Sequence, residues 1–476
     1  MNDTYENPLI TRYSSKEMAR LFSSDSKFGT WRELWIALAE GEKELGLNIT
    51  EEQIDEMKLY KDNINYDIAS QKEREFRHDV MAHIHAYGVQ CPKAMPIIHL
   101  GATSAYVQDN TDIILMKKAL EILEKKLVNF MDKMSRFAIK YKDLPTLGFT
   151  HFQPAQLTTV GKRATLWLHD LYMDYENLEY TKSNIKLRGV KGTTGTQASF
   201  LNLFDGDHEK VKQLDKIVSK KMGFDKTYPV TGQTYPRKLD SDVLHVLSSI
   251  AQTLHKITND IRLLQHLKEI EEPFEKNQIG SSAMAYKRNP MRSERIASLA
   301  RLIIANNLNP AMTASTQWFE RTLDDSANRR ITIPQTFLAC DAIIEIAINV
   351  FSGLVVYENV IREHVNNELP FMATENIIME AVKKGGDRQE LHEIIRQLSM
   401  EAGKEVKEKG KRNDLIDRLL NNSNFNLSKE EIQNVLKPEN FVGRAPEQVV
   451  EFIEECINPI LSKYKDVLGL EIELNV

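Results

Sequence analysis

The sequence predicts an all-α protein of three parts, built on a central bundle of about five long helices. Three observations carry that expectation. Glycine and proline are scarce, 21 and 15 among 476 residues, about 8 % against roughly 12 % in average proteins. Few breakers mean long uninterrupted elements. Two segments also carry sustained heptad seams, and strand patterns are rare, the clearest candidate being the tail 468–474.

Residues 1–104 read as an N-terminal helical domain of shorter helices. Capping-box patterns, in which a side chain and a main-chain N–H exchange hydrogen bonds, stand at Ser14-x-x-Glu17 and Thr50-x-x-Gln53. Residues 105–364 read as the long-helix domain. Its first seam runs through Ile113, Met116, Leu120, Leu123, Leu127, Phe130, Met134 and Phe137. Its second runs through Leu239, Val243, Val246, Ile250, Leu254, Ile257, Ile261 and Leu264. Spacings of three and four put each set on one helical stripe. Segments 155–186 and 335–365 are breaker-poor and supply further long helices. Within the latter, 342–357 is apolar nearly all round. It is too short and too polar, with Glu345, Asn349 and Ser352, for a membrane span. It predicts a helix surrounded by others, and bundles from several chains associating as a symmetric homo-oligomer. Residues 365–476 read as a C-terminal helical domain, punctuated by Pro370, Pro438 and Pro446, with a capping box at Ser428-x-x-Glu431.

Composition excludes several classes. With 62 basic and 68 acidic residues the net charge is −6, which argues against general nucleic-acid binding. The three cysteines, Cys91, Cys340 and Cys456, are odd in number and far apart, so they predict neither a disulfide framework nor a zinc knuckle but a reduced cytoplasmic protein. The opening residues are acidic and lack an apolar run, so no signal peptide is expected. No G-x-S-x-G elbow, Walker loop or strand-borne dinucleotide loop is present.

Four polar, Gly- or Pro-marked segments interrupt the helices: 75–79, 99–104, 147–154 and 280–290. In the last, Gly280, Ser281 and Ser282 lead to Lys287 and Arg288. Asn289 is expected to cap a helix beginning at Pro290, whose free N–H groups would face an anion under a mobile lid. An ordinary solvated loop fits the same residues. His78, His83 and His85 are close in sequence, but their spacing does not match a helical zinc pair. His83 and His85 read as structural. His78, between Arg77 and Asp79, suits a charged pocket that tunes its titration. His151 lies in a segment too irregular for plain helix. Arg321, Ser326 and Arg330 can grip a phosphate or simply form a salt-bridged helix start. Cations around an expected anion, histidines for acid or base, and no visible metal or redox site fit proton abstraction beside a carboxylate with loss of a neighbouring group.

The 280–290 segment closely resembles the signature of the fumarase/aspartase superfamily. With Arg77-His-Asp79, Thr150-His151 and Thr231-Gly-Gln-Thr-Tyr-Pro-Arg237, the chain is similar to the adenylosuccinate lyase branch. That resemblance implies a homotetramer with a twenty-helix core, active sites assembled from three chains, and no cofactor. It implies release of fumarate from adenylosuccinate, giving AMP, and from the succinyl-carboxamide ribotide of purine synthesis. By position, Ser281 would be the general base, and His151 the general acid, oriented by Glu294. Lys287 and Asn289 would hold carboxylates, and His78 would assist beside the phosphate and leaving group. Thr103, Ser104, Gln233 and Arg295 would contact substrate, with His99 and Thr150 among the binding residues. Arg12, Tyr13, Arg77, Asp79, Arg321, Ser326 and Arg330 would hold the nucleotide and its phosphate. Argininosuccinate lyase, another fumarate-releasing lyase and a catalytically silent structural homologue are the alternatives. Ala285 stands where the family usually has proline, which implies a more mobile open loop.

Overall fold

Five long helices form the centre: Ser104–Lys140, Val160–Asn184, Lys238–His266, Met291–Asn306 and Asp325–Ser352. The structure, a computed structural model, describes residues 3–474. Every residue of both heptad seams is buried, from Ile113 to Phe137 and from Leu239 to Leu264. The 104–140 helix packs on the 160–184 and 325–352 helices. The 238–266 helix packs on the 160–184, 291–306 and 325–352 helices, so the apolar stripes close on one another.

The N-terminal ends of three of these helices are joined by buried charge. Arg237 reaches Asp109 with Nη1 and Nη2 (3.2 and 3.1 Å) and Asp325 with Nε (2.6 Å). Arg329 bonds Asp240 (2.6 Å) and Asp112 (2.9 Å). Burying such charges is costly unless each is paired, and here each guanidinium has two carboxylate partners. Arg329, which the sequence places beside the phosphate-gripping cluster, is thereby a structural residue.

The apolar segment at 342–352 behaves as a core helix of the single chain. Asp325–Ser352 is long and apolar enough to cross a membrane, yet 78 % of its most apolar stretch is buried inside this one chain. The inference from its all-round apolarity to several associating chains therefore falls: neighbouring helices of the same chain already cover it. The helix also ends at Ser352, and residues 355–356 form a short strand instead of continuing it.

Other local expectations divide. The boxes at Thr50–Gln53 and Ser428–Glu431 form with both hydrogen bonds. The first box shifts by one residue: Ser15 Oγ accepts from Met18 N–H, while Ser14 Oγ donates to the Leu9 carbonyl. The tail 468–474 is not a strand. It lies along helices, which offer side chains rather than a backbone edge. Asn129 accepts from Leu470 N–H (2.9 Å) and donates to the Val467 carbonyl (2.9 Å), and Asn349 donates to the Ile472 carbonyl (2.8 Å). A separate apolar cluster around Ile377, Leu391, Ile395, Leu415, Leu419 and Ile432 centres the C-terminal region.

Candidate active site

At the N-terminal ends of the long helices, one group of expected site residues comes together. His78 caps the helix Asp79–Gln90, its Nδ1 accepting from Met81 N–H (3.3 Å), while Nε2 faces Ser104 Oγ (3.3 Å). Arg77 adopts a left-handed backbone, φ 57°, which ends the preceding helix and turns the chain into that cap. Gln233 Nε2 faces Thr103 Oγ1 at 3.5 Å. His99 Nδ1 accepts from Trp35 Nε1 (2.9 Å), and burial, with some repulsion from His78, pushes its pKa down to about 4. His99 is therefore a neutral acceptor. His83 is likewise buried, stacked on Phe28 with ring centroids 3.8 Å apart.

The arginines of this group are already engaged. Arg330 Nη2 bonds Asp79 Oδ2 (3.1 Å), and Gln108 donates to the same carboxylate. Arg321 Nη1 meets both oxygens of buried Asp325 at 3.0 Å. Ser326 lies in the first turn of the 325–352 helix. The cations are thus held in place by acids, and an incoming phosphate would share them.

A second group surrounds the 280–290 loop. Ser281 Oγ accepts from the N–H groups of Ala283 (3.3 Å) and Met284 (3.1 Å). The loop stands open: Tyr286 is 99 % exposed, and Lys287 is exposed too. Its two ends approach closely, because a Cβ on Gly280 would lie 2.1 Å from the Lys287 carbonyl. Asn289 does not cap the following helix. Its Nδ2 donates to the Gly280 carbonyl (2.7 Å) and staples the loop. The helix start is not open to an anion either. Buried Glu272 accepts from Arg292 and Ser293 N–H, each at 3.0 Å, and from Ser293 Oγ. A carboxylate of the chain itself occupies the positive helix end. Just beyond, Glu294 faces Arg262 at 4.0 Å. Arg295 lies over the Tyr13 ring, as does Arg12, at 5.7 and 5.9 Å.

Thr150 and His151 form a third group, on an element the sequence reading missed. Pro145–Thr150 (β1) and Gln153–Thr159 (β2) make an antiparallel hairpin. His151 and Phe152 are its two turn residues, with φ 52° and 59°. Two consecutive left-handed residues suit a primed hairpin turn, and non-glycine residues there store strain. His151 is exposed at the tip and has no hydrogen-bond or ion-pair partner among the described residues. The signal was the alternation Leu147, Phe149 on one arm with Leu157, Thr159 on the other.

The Gln233 group does not meet the other two within one chain. Gln233 just precedes the 238–266 helix, whereas the 280–290 loop docks at its far end, where Gln265 donates to the Arg288 carbonyl (3.1 Å). The 29 residues between span about 43 Å at ~1.5 Å each. The hairpin springs from the end of the 104–140 helix opposite Thr103. No hydrogen bond or ion pair links Ser281, Lys287 or Glu294 to His151 among the described residues.

The family described as Lyase matches residues 37–305, and the one described as Adenylosuccinate lyase C-terminus matches residues 370–452. The adenylosuccinate lyase of Saccharomyces cerevisiae is 55 % identical over 100 % of this chain and 99 % of its own length. The chain belongs to the adenylosuccinate lyase family. The Schizosaccharomyces pombe relative of that name is 54 % identical, covering 98 % of each chain, and the Pyrococcus abyssi one 32 % identical, covering 94 % of this chain and 98 % of its own. Among solved structures, a 3-carboxy-cis,cis-muconate lactonizing enzyme from Pseudomonas putida superimposes with TM-score 0.80 over 97 % of this chain and 100 % of its own, at 20 % identity. A fumarate lyase from Mesorhizobium sp. BNC1 gives 0.78 over 95 % and 100 %, at 19 %. At those identities the likeness establishes the helical fold. The second matched segment, 370–452, takes in the separate C-terminal apolar cluster.

Proposed function

We propose that the chain eliminates fumarate from adenylosuccinate, leaving AMP, and from the succinyl-carboxamide ribotide of purine synthesis. The observation that carries this reading is the environment of Ser281. Its Oγ receives two main-chain N–H bonds in a loop that also bears Lys287. A hydroxyl is a poor base unless its alkoxide is stabilised, and N–H donors beside a cation do that. The Ser281 alkoxide takes the proton from the carbon beside a succinyl carboxylate. The electron pair moves onto that carboxylate, which Lys287 and Asn289 hold. The pair then returns, the carbon–nitrogen bond breaks, and His151 protonates the leaving nitrogen, with Glu294 orienting the imidazole. His78, Thr103, Ser104 and Gln233 hold the reacting portion. Arg321, Ser326 and Arg330 bind the phosphate. The reaction uses no cofactor.

We propose further that the enzyme is a cytoplasmic homotetramer in which residues 105–364 form a shared core. The roughly 40 Å between the Gln233 group and the Ser281 loop supports this, since one nucleotide cannot bridge it. Different chains then supply the Ser281 loop and the Gln233 end, and the family resemblance assigns the His151 hairpin to a third. Closure of the loop would exclude water from the reacting atoms. The test is direct: purified protein is mixed with adenylosuccinate, and the ultraviolet change and fumarate are followed. Stoichiometric fumarate and AMP are expected; absence of fumarate across pH 6–9 would refute the reading.

A further inference from the structure

Three loops at the Gln233 end lie backbone against backbone, and one buried arginine joins two of them. Arg188 is 0 % exposed. Its guanidinium donates only to main-chain carbonyls: Nε to Gln233 (2.7 Å), Nη2 to Gly192 (2.8 Å) and Nη1 to Gly189 (3.1 Å). No carboxylate bonds it among the described residues, and burial pushes its pKa down to about 10. A buried cation without a bonded counter-ion is costly, so its geometry matters more than its charge. The planar fork reaches carbonyls in three directions, which a lysine ammonium on a flexible stem does not reproduce.

The same loops touch through glycines. A Cβ on Gly195, where φ is 81°, would lie 1.8 Å from the Thr231 carbonyl oxygen, and one on Gly232 would lie 2.7 Å from that of Glu320. Gln233 N–H donates to the Glu320 carbonyl (3.0 Å). The main chain of Gln233 is thus gripped on both sides. Arg188 holds its carbonyl, and the loop leading to Arg321 holds its N–H. Only its side-chain amide is left to face Thr103 and the site.

We propose that Arg188 is a positioning residue for substrate recognition, acting through the Gln233 carbonyl to aim the Gln233 amide while touching no substrate itself. The proposal rests on the reading of Gln233 as a substrate contact. The experiment is a double-mutant cycle of Arg188→Lys and Gln233→Ala, with KM and kcat measured on adenylosuccinate and the oligomer checked by mass. R188K is expected to raise KM about tenfold, the size of one misplaced hydrogen bond, with kcat changed by less than about threefold. On the Q233A background the same substitution is expected to add nothing further. Equal effects in both backgrounds, an unmoved KM, or a loss confined to kcat would overturn the proposal. Should R188K lose its helical circular dichroism, Gly195→Ala, whose added carbon meets the Thr231 carbonyl, carries the same KM and non-additivity expectations. A wild-type chain that releases no fumarate would instead sink the functional reading, a result distinct from an active wild type with an indifferent Arg188.

Discussion

Ser281 Oγ accepts two main-chain N–H bonds, while His151 projects from a hairpin tip with no partner. In the proposed mechanism each would act only when the rest of the site closes around it. Ser281→Ala and His151→Ala are each expected to lower kcat by about 10²–10⁴-fold and to leave the oligomer mass unchanged; a near-normal rate of fumarate release in either would remove that residue from its role. A different residue sets pH-dependent stability. Glu42 is 0 % exposed, neither of its oxygens has a hydrogen-bond partner among the described residues, and burial raises its pKa from 4.5 to about 9. The folded state thus holds a proton that the unfolded state releases near pH 4.5. Its stabilising share is complete below about pH 4.5 and is lost as pH rises through about 9, at about 1.4 kcal/mol per pH unit. Glu42→Gln carries no such proton linkage. Its Tm advantage over wild type is expected to widen from pH 5 to pH 8; a gap independent of pH would mean that the wild-type carboxyl is charged and paired. At this scale the candidate residues could be named from sequence, but their partners could not. Asn289 reads as a cap by its place before a helix, yet it bonds the Gly280 carbonyl, because Glu272, seventeen residues earlier, already occupies the helix start.

Elements were legible where their apolar period was long. The two heptad stripes became the 104–140 and 238–266 helices because period 3.5 over 25 residues outweighs any local preference. Short elements went astray. The β1–β2 hairpin lacks an Asn-Gly turn and uses His151 and Phe152 at positive φ instead, so no turn signal marked it. The tail 468–474 alternates like a strand, but its backbone is met by amide side chains of helices. Asn129 is the chief tether, donating to Lys125 and Val467 and accepting from Leu470. Asn129→Ala removes both tail bonds, and the expected loss is about 1–3 kcal/mol. Limited proteolysis should then clip the last residues faster than in wild type; unchanged cleavage would show that the Asn349 bond and the packing of Leu470, Ile472 and Leu474 suffice to hold the tail.

For the whole molecule, the decisive length is that of the central bundle. Residues proposed to touch one nucleotide stand at opposite ends of a 29-residue helix. If chains share sites, then mixing a Ser281→Ala protein with a His78→Ala protein, each inactive alone, under subunit exchange is expected to regenerate some intact sites. About a quarter of the wild-type rate is the order expected for random mixing of a homotetramer. No recovery, with exchange shown by mass, would place each site within one chain. The apolarity of 342–352 did not carry this conclusion, since that helix is covered by its own chain.

The order of residues alone determined the helical class, the long central seams and the loop that carries Ser281, Lys287 and Asn289. Those features are written locally, in periodicity and in contiguous polar runs. Only the tertiary structure decided which charges are spent internally. Arg329 goes to Asp240 and Asp112, and Glu272 goes to the start of the 291–306 helix. It also decided that Arg188 reaches the Gln233 carbonyl, 45 residues along the chain. Each of these pairings joins residues 20 or more positions apart. A buried charge or carbonyl takes whatever partner the packing brings within about 3 Å, and neighbouring residues in sequence do not record that partner.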